Sequence, residues 1–201
     1  MFLKGKILVI ISSLFIIGQL NAQDDKFSIG PRVGVNFANV SNVENSKSLT
    51  GLAIGLTSTY SINETAGLTF DLLYSGEGYK SGNDEYKLNY LQIPIYFDVF
   101  LGEQGEQFRP KVYAGFVPGF LLNAKTNDTE LNKDDFNGFN FAFSGGLGFN
   151  YRVGSRIWLN TDLRAYLGLT DIRDEALQIG DKRANNNVQL SLGLAYGLSK
   201  I

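Results

Sequence analysis

Cysteine and histidine are both absent from the 201 residues of the chain. Without cysteine there is no disulfide, no thiolate nucleophile and no cysteine-ligated metal. Without histidine there is no Ser–His–Asp or Cys–His hydrolase and no histidine-ligated zinc. An enzyme built on this sequence would have to use carboxylates, lysine or serine alone. An enzyme is therefore the least favoured function class, and we expect no cofactor.

Long apolar runs are also absent, except for one near the N-terminus. Lys4 and Lys6 precede an apolar stretch over 7–17, and Ala22 offers a small residue before a cut at Gln23. A charged start, a short apolar run and a small residue at the cut predict a secretory signal peptide. A membrane-spanning helix would need about 20 apolar residues. We expect a cleaved leader over 1–22 and one exported domain over 23–201.

A large excess of either charge is absent as well. Removing Lys4 and Lys6 from the 18 basic residues leaves 16 against 20 acidic ones, so the formal charge moves from −2 to −4. Nucleic-acid binding requires a basic patch or stripe, so we expect no nucleic-acid partner. With no disulfide available, stability must come from backbone pairing and side-chain packing.

Alternation of bulky with small or polar residues is the main feature that the chain does have. In the last stretch, Val188, Leu190 and Leu192 alternate with Gln189 and Ser191. Strict alternation indicates a β-strand with two unlike faces. All the predicted strands are long enough to cross a membrane, which takes about 9–11 tilted residues. The eight strands are predicted over 27–38, 49–60, 65–76, 88–100, 111–122, 139–151, 157–170 and 187–198.

The connections between the predicted strands alternate in length. Tight turns at 61–64 and 152–155 follow the second and sixth strands, and an intermediate link over 101–110 follows the fourth. Short turns at one end and long loops at the other are typical of outer-membrane barrels. We expect the long loops to lie outside the cell. They are predicted over 39–48, 77–87, 123–138 and 171–186.

The bulky face of these strands carries no charged residue and no Asn or Gln. A lysine or arginine facing the middle of a bilayer costs about 2–4 kcal/mol, so a lipid-facing surface must be free of them. The pattern predicts an all-β fold, namely an eight-stranded antiparallel up-and-down transmembrane β-barrel with OmpX/OmpA-like architecture. Tyrosines near strand ends fit the aromatic girdles at the membrane boundary.

The opposite face is rich in glycine and small residues, which suits the narrow interior of an eight-stranded barrel. Isolated buried charges are very costly, so the charged residues on this face are expected to pair and to fill the lumen. A narrow pore is an alternative, but it requires the charged cluster to leave a path for water. The predicted polar cluster of the lumen consists of Arg32, Asp71, Asp98, Asp162 and Arg164.

Prolines within the predicted strands disagree with this regular pattern. Pro31, Pro94 and Pro118 each remove one hydrogen bond from the ladder, and a closed barrel has no edge strand to accommodate them. We expect bulges at these positions, or strand ends that differ from the predicted boundaries.

Three other patterns suggest chemistry only weakly. Asp71, Asp98 and Asp162 would suit acid–base catalysis, but ion pairing with the two arginines is favoured. The acidic segment 127–137 lacks the one-three-five ligand spacing of a calcium loop. The glycine-rich run 145–148 has no following helix that would bind a phosphate. We therefore expect no catalytic, metal-binding or cofactor-binding residues.

The segment 90–97, Tyr-Leu-Gln-Ile-Pro-Ile-Tyr-Phe, resembles the fourth-strand signature of the PorT-like family of small outer-membrane β-barrel proteins. The segments 109–119 and 27–36 are similar to the fifth and first strands of that family. The resemblance covers nearly all of 27–198. It implies a barrel scaffold without catalytic residues. One relative is tied to protein secretion, so a secretion-associated envelope component joins the alternatives.

Two function classes remain. The first is a monomeric structural or interaction protein of the cell outer membrane, surrounded by outer-membrane lipid and lipopolysaccharide and binding envelope or surface partners through its loops. The second is a soluble periplasmic calyx of lipocalin type, with the bulky face turned inward around an apolar ligand. A calyx would place the glycine-rich face outside, whereas soluble proteins normally carry many charges there.

Overall fold

Ten strands make up most of the computed structural model, which describes residues 26–103, 106–127 and 129–198. The predicted cleavage site at Ala22 and Gln23 lies outside these residues. No helix in the described ranges is long and apolar enough to cross a membrane. The strands are β1 (Phe27–Val40), β2 (Ser46–Ser61), β3 (Ala66–Ser81), β4 (Asp84–Gln92), β5 (Ile95–Phe100), β6 (Phe108–Thr126), β7 (Thr129–Glu130), β8 (Phe139–Arg152), β9 (Ile157–Gly168) and β10 (Asn185–Gly197).

The strands form one antiparallel sheet that closes on itself, because β1 pairs with both β2 and β10. β4 and β5 both pair with β3 and β6, and their pairings with β3 keep one register across Ile93 and Pro94. They therefore share one position in the ring. β7 has only two residues and pairs with the end of β6. The predicted antiparallel barrel class is confirmed, with ten strand segments occupying a ring in which eight long strands were predicted.

Prolines interrupt the ladder without shifting its register. Pro31 and Pro118 lie inside β1 and β6, where the pairings on both sides keep the same register, and Pro94 separates β4 from β5. The predicted bulges at these prolines are therefore wrong, and only the change of strand ends at Pro94 holds. The register shifts instead within 48–53 of β2 and at 89–90 of β4.

The barrel has two ends, which we call the turn end and the loop end. The turn end carries the short connections 62–65, 101–107 and 153–156. The loop end carries the connections 41–45, 82–83, 127–138 and 169–184. The long loops predicted over 39–48 and 77–87 are wrong in extent, because half of the first and most of the second are paired within β1 to β4. Apolar alternation stops before backbone pairing does, so the strands extend beyond their apolar part.

Bulky apolar side chains point out of the ring, and polar ones point toward its axis. Leu163 and Leu192 are 45% and 49% exposed, whereas Asp162 and Arg164 are at most 1% exposed. The calyx alternative is therefore wrong, since it requires the reverse orientation. Water-soluble monomers rarely expose so continuous an apolar surface. This apolar band includes Val33, Val35, Phe37, Leu52, Ile54, Leu56, Phe70, Leu72, Ile95, Phe97, Val112, Phe116, Phe120, Phe143, Leu147, Leu163, Leu167, Leu190, Leu192 and Leu194.

Candidate functional site

A layer of six charged side chains fills the middle of the lumen, and we call it the charged layer. Strand alternation turns each of them toward the axis. Three are positive and three are negative, so their formal charges balance, and no side chain is more than 1% exposed. The members are Arg32 on β1, Asp71 on β3, Asp98 on β5, Lys111 on β6, and Asp162 and Arg164 on β9.

Asp162 lies at the centre of the charged layer and contacts all three of its cations. Arg32 donates from Nη1 to Asp162 Oδ2 at 2.5 Å. Lys111 Nζ lies 3.0 Å from Asp162 Oδ1, and Arg164 Nη2 lies 3.8 Å from Oδ2. Removing this one carboxylate would leave every cation of the layer with fewer partners.

Asp71 and Arg32 extend the ion pairs across the lumen. Arg164 donates from Nη1 to Asp71 Oδ2 at 2.6 Å, and Arg32 Nε lies 3.5 Å from the same oxygen. Arg32 also donates to the hydroxyls of Thr57 at 3.1 Å and Ser191 at 3.0 Å. Because these partners come from β1, β2, β3, β9 and β10, the contacts join strands on different sides of the ring.

Asp98 is held at the turn-end side of the charged layer. Thr69 donates from Oγ1 to Asp98 Oδ2 at 2.6 Å, and the Thr59 hydroxyl lies 3.0 Å from that of Thr69. Lys111 Nζ lies 3.8 Å from Asp98 Oδ1. The third carboxylate therefore has a hydrogen-bond donor and a cation beside it, as a buried charge requires.

Two tyrosine rings pack against the cations. The guanidinium of Arg164 lies 4.7 Å from the ring centre of Tyr96, and Lys111 Nζ lies 5.0 Å from that of Tyr113. The two rings meet edge to face with centres 5.1 Å apart, and the Tyr96 hydroxyl donates to Ser144 at 3.1 Å. Cation–π contact adds attraction at a desolvated site. The rings also occupy the space beside the ion pairs.

A second polar layer, centred on Glu77, lies between the charged layer and the loop end. Gln92 donates from Nε2 to Glu77 Oε1 at 2.8 Å, and the Ser75 hydroxyl donates to the same oxygen at 3.1 Å. Asn185 donates to Oε2, and Asn187 lies 3.5 Å from Oε1. These donors are all neutral. Glu77 is thus solvated by amides and a hydroxyl, in contrast to the ion-paired aspartates.

Apolar and aromatic groups lie at both ends of the lumen. Ile172 from the connection 169–184 enters a buried cluster at the loop end. At the turn end, the guanidinium of Arg109 lies 4.2 Å from the ring centre of Phe100 and donates to the Glu64 carbonyl at 2.5 Å. The buried members of the loop-end cluster are Val40, Tyr79, Leu88, Tyr90, Leu121, Ala124 and Ile172.

A carboxylate anchors the longest connection, 169–184. Arg173 donates to Asp171 from Nη2 at 2.8 Å, from Nε at 3.1 Å and from its backbone N–H at 2.9 Å, and the Arg183 N–H adds a bond at 3.1 Å. Burial alone would raise the pKa of Asp171, but these hydrogen bonds hold its pKa below the usual range. The carboxylate is therefore a fixed point of the loop.

The structure brings together all five residues of the predicted polar cluster and adds Lys111 to it. Two further charged side chains that the sequence analysis did not assign to the lumen are buried elsewhere in it, Glu77 toward the loop end and Arg109 at the turn end. The predicted boundaries put Lys111 at the first residue of a strand, Arg109 in a link and Glu77 in a loop. The sequence does indicate that these three residues face the lumen, because they have the same parity as the inward residues of their strands. Continuing the alternation backward from 113 reaches 111 and 109, and continuing it forward from 75 reaches 77.

The residues of the three weaker patterns lie in a 3-10 turn, in β8 and in the lumen. No group of three or more carboxylates, histidines or cysteines is placed to hold a metal within the described residues. Asp134 and Asp135 belong to a 3-10 turn, and Asp128 lies outside the described part of the chain. The run Gly145–Gly148 lies inside β8. The three lumen aspartates are at most 2% exposed.

Residues 21–174 match the family described as outer membrane protein beta-barrel domain. The structure is similar to Neisserial surface protein A, with a TM-score of 0.58, 14% identity, and coverage of 85% of this chain and 96% of that one. It is also similar to the outer membrane protein OprG from Pseudomonas aeruginosa, with a TM-score of 0.50, 15% identity, and coverage of 85% and 94%. At such identities the likeness shows the fold alone. No curated protein matches the sequence.

Proposed function

Because the chain belongs to the family of outer membrane protein beta-barrel domains, we propose that it is a structural or interaction protein of the outer membrane with a closed lumen. The charged layer is the observation that carries this proposal. Its six side chains balance in charge, contact one another across the lumen and are at most 1% exposed. A conducting path would need water between these groups.

Two further layers support closure. The amides around Glu77 lie above the ion pairs, and the apolar cluster that includes Ile172 lies above the amides. Water or an ion would have to displace all three layers in turn. With the carboxylates occupied by cations and out of reach of a substrate, we also propose that the protein catalyses no reaction.

Planar-bilayer recording of the purified full chain tests closure. We expect no steady conductance from protein that migrates differently before and after boiling, which is the mark of a folded barrel. The alternative function, a narrow pore, predicts a steady current that changes in Asp162→Asn. Such a current would refute the closed lumen.

Two neighbouring positions on β8 test the orientation that the membrane location requires. Ala142 is 2% exposed and faces the lumen, whereas Phe143 is 40% exposed and faces out. The chain has no native cysteine, so Ala142→Cys and Phe143→Cys can each be labelled singly. A membrane-dissolved thiol reagent should modify only the cysteine at 143. Equal labelling at both positions would refute the orientation.

The connection 169–184 favours an interaction role for the loop end. Asp171 and Arg173 hold its base, and its outer part exposes Leu177 and Ile179 by 47% and 85%. Exposed apolar residues among charged ones are typical of protein contact surfaces. We propose that envelope or surface partners bind through this connection and its neighbour 127–138.

The proposal also covers the export of the protein and the subfamily to which it belongs. We propose that residues 1–22 are removed, so mass spectrometry of the mature protein should find Gln23 at its N-terminus. A mature protein that starts at Met1 would contradict this. The likeness of 90–97, 109–119 and 27–36 to PorT-like strands supports membership of that group.

A further inference from the structure

Glu77 differs from the aspartates of the charged layer because it takes part in none of the ion pairs between described residues. Its hydrogen-bond donors are neutral, and Glu77 itself is only 4% exposed. The charged layer is neutral by itself, so it leaves no positive charge over for Glu77. Buried charges in proteins are normally paired with an opposite charge or coordinate a metal ion.

The two amides that contact Glu77 most closely are only half satisfied. Gln92 and Asn185 each donate an N–H to Glu77, but neither side-chain oxygen has a hydrogen-bond partner within the described residues. Both residues are at most 2% exposed. Buried polar atoms normally have a partner. Two unpartnered oxygens on the amides of one unpaired carboxylate therefore indicate a positively charged ligand.

Rotation of these amides would bring their oxygens to the carboxylate. The oxygen and the nitrogen of an amide exchange places when its plane turns by half a turn. In the described part of the chain, the amides of Gln92 and Asn185 donate only to Glu77, so their rotation breaks no other hydrogen bond. Asn187 is different, because its N–H donates to Asn36 at 3.0 Å and this bond holds its orientation. Rotated oxygens would repel the carboxylate unless a cation lay between them.

Strands on different sides of the ring supply these oxygens. Ser75 and Glu77 lie on β3, Gln92 ends the neighbouring β4, and Asn185 begins β10. β10 is separated from β3 by β1 and β2, so Asn185 reaches Glu77 across the lumen. The Ser75 hydroxyl is 3.1 Å from Glu77 Oε1 and is itself held by an N–H of Asn36 at 2.9 Å. The barrel backbone thus holds four oxygen-bearing side chains around one point.

We propose that Glu77 binds one monovalent alkali cation together with the side-chain oxygens of Gln92, Asn185 and Ser75. Oxygen ligands suit hard cations, but calcium sites use about 6–8 oxygens and are tuned by the number of charged ligands. A single carboxylate neutralises a single positive charge, whereas a divalent ion would leave a buried excess of charge. The proposal departs from the expectation of no metal-binding residue, because amides and one carboxylate form no acidic pattern in the sequence.

The test is equilibrium urea unfolding of the full chain in phosphocholine vesicles, followed by the fluorescence of Trp158. Sodium or potassium chloride replaces choline chloride at constant ionic strength. The site exists only in the folded barrel, so a bound cation stabilises the folded state. Once the site is filled, a tenfold rise in the concentration of the bound cation should lower the equilibrium constant for unfolding about tenfold. Equilibrium values do not depend on how fast the cation passes the apolar cluster at the loop end.

Glu77→Gln should remove this dependence on the cation, because the amide keeps the shape of the side chain without its charge. Glu130→Gln is the matched control and should keep the wild-type dependence, since the Glu130 side chain lies at the loop end and is 79% exposed. Equal stability of the wild type in all three salts would overturn the proposal, whether or not Glu77→Gln folds. A response to calcium chloride alone would overturn the monovalent assignment. An undiminished response in folded Glu77→Gln would overturn the site.

Discussion

Replacing Asp162 with asparagine should be among the most destabilising single substitutions in the barrel. The variant leaves three cations facing two carboxylates in a layer that water does not reach. At 3.0 Å and an effective dielectric constant of about 20, the attraction between Lys111 and Asp162 is about 5–6 kcal/mol. Desolvation offsets part of it. Removing one partner of a buried ion pair typically costs about 3–5 kcal/mol. We expect Asp162→Asn to lower the free energy of unfolding by this amount.

Removing Lys111 in the same protein should recover much of this loss. Lys111→Gln combined with Asp162→Asn leaves two cations and two carboxylates, so the charged layer is again neutral. The recovery is incomplete, because Asp98 loses the cation 3.8 Å away and keeps the hydrogen bond from the Thr69 hydroxyl. We expect the double variant to be more stable than the sum of the singles predicts, by about 2 kcal/mol.

Urea unfolding in phosphocholine vesicles, followed by the fluorescence of Trp158, measures these free energies, since Trp158 is the single tryptophan of the chain. Asp134→Asn is the control, because Asp134 is exposed, and it should change the free energy of unfolding by less than about 0.5 kcal/mol. Additive effects of Asp162→Asn and Lys111→Gln would refute the argument. So would an Asp162→Asn variant as stable as the control.

Two further substitutions probe the backbone and the longest loop. Gly78 has φ of 134°, and a Cβ there would overlap the Tyr86 carbonyl, so Gly78→Ala should lower the unfolding free energy by about 1–3 kcal/mol. Gly138→Ala, where a Cβ meets nothing within 4 Å, should change it little, and equal effects would contradict the steric argument. Asp171→Asn should speed tryptic cleavage after Arg173 in intact barrels. Because the pKa of Asp171 is lowered, its contribution persists above the ordinary carboxyl pKa and is lost as pH falls through the lowered value. Unchanged cleavage would show that Asp171 does not order the loop.

Sequence alone predicted which face of each strand points outward, because contact with lipid hydrocarbon excludes charge there. A lysine in place of Leu192 would cost about 2–4 kcal/mol, so the apolar alternation is strict wherever the wall meets the bilayer core. The extent of the strands was less predictable. Beyond the apolar band, Lys47 and Lys80 still pair across β2 and β3, but backbone hydrogen bonds continue there under side chains of any polarity. No hydropathy pattern marks where they stop.

The strand break at Ile93 and Pro94 was also difficult to predict from the sequence. A proline within a strand removes one hydrogen bond of the ladder. Either a β-bulge or a break in the strand would accommodate the proline. β4 and β5 pair with β3 in the same register, so the strand breaks at Pro94 without a bulge. The lost bond is limited to one position, and the Ile93 N–H still donates to the Pro118 carbonyl at 2.9 Å. Only the pairing of neighbouring strands distinguishes the two outcomes.

Charge balance was the clue to the missing member of the lumen. The predicted cluster held three acids and two bases, and a buried net charge of that kind is costly. It therefore required another cation with inward parity, and Lys111 satisfies that requirement at 3.0 Å from Asp162.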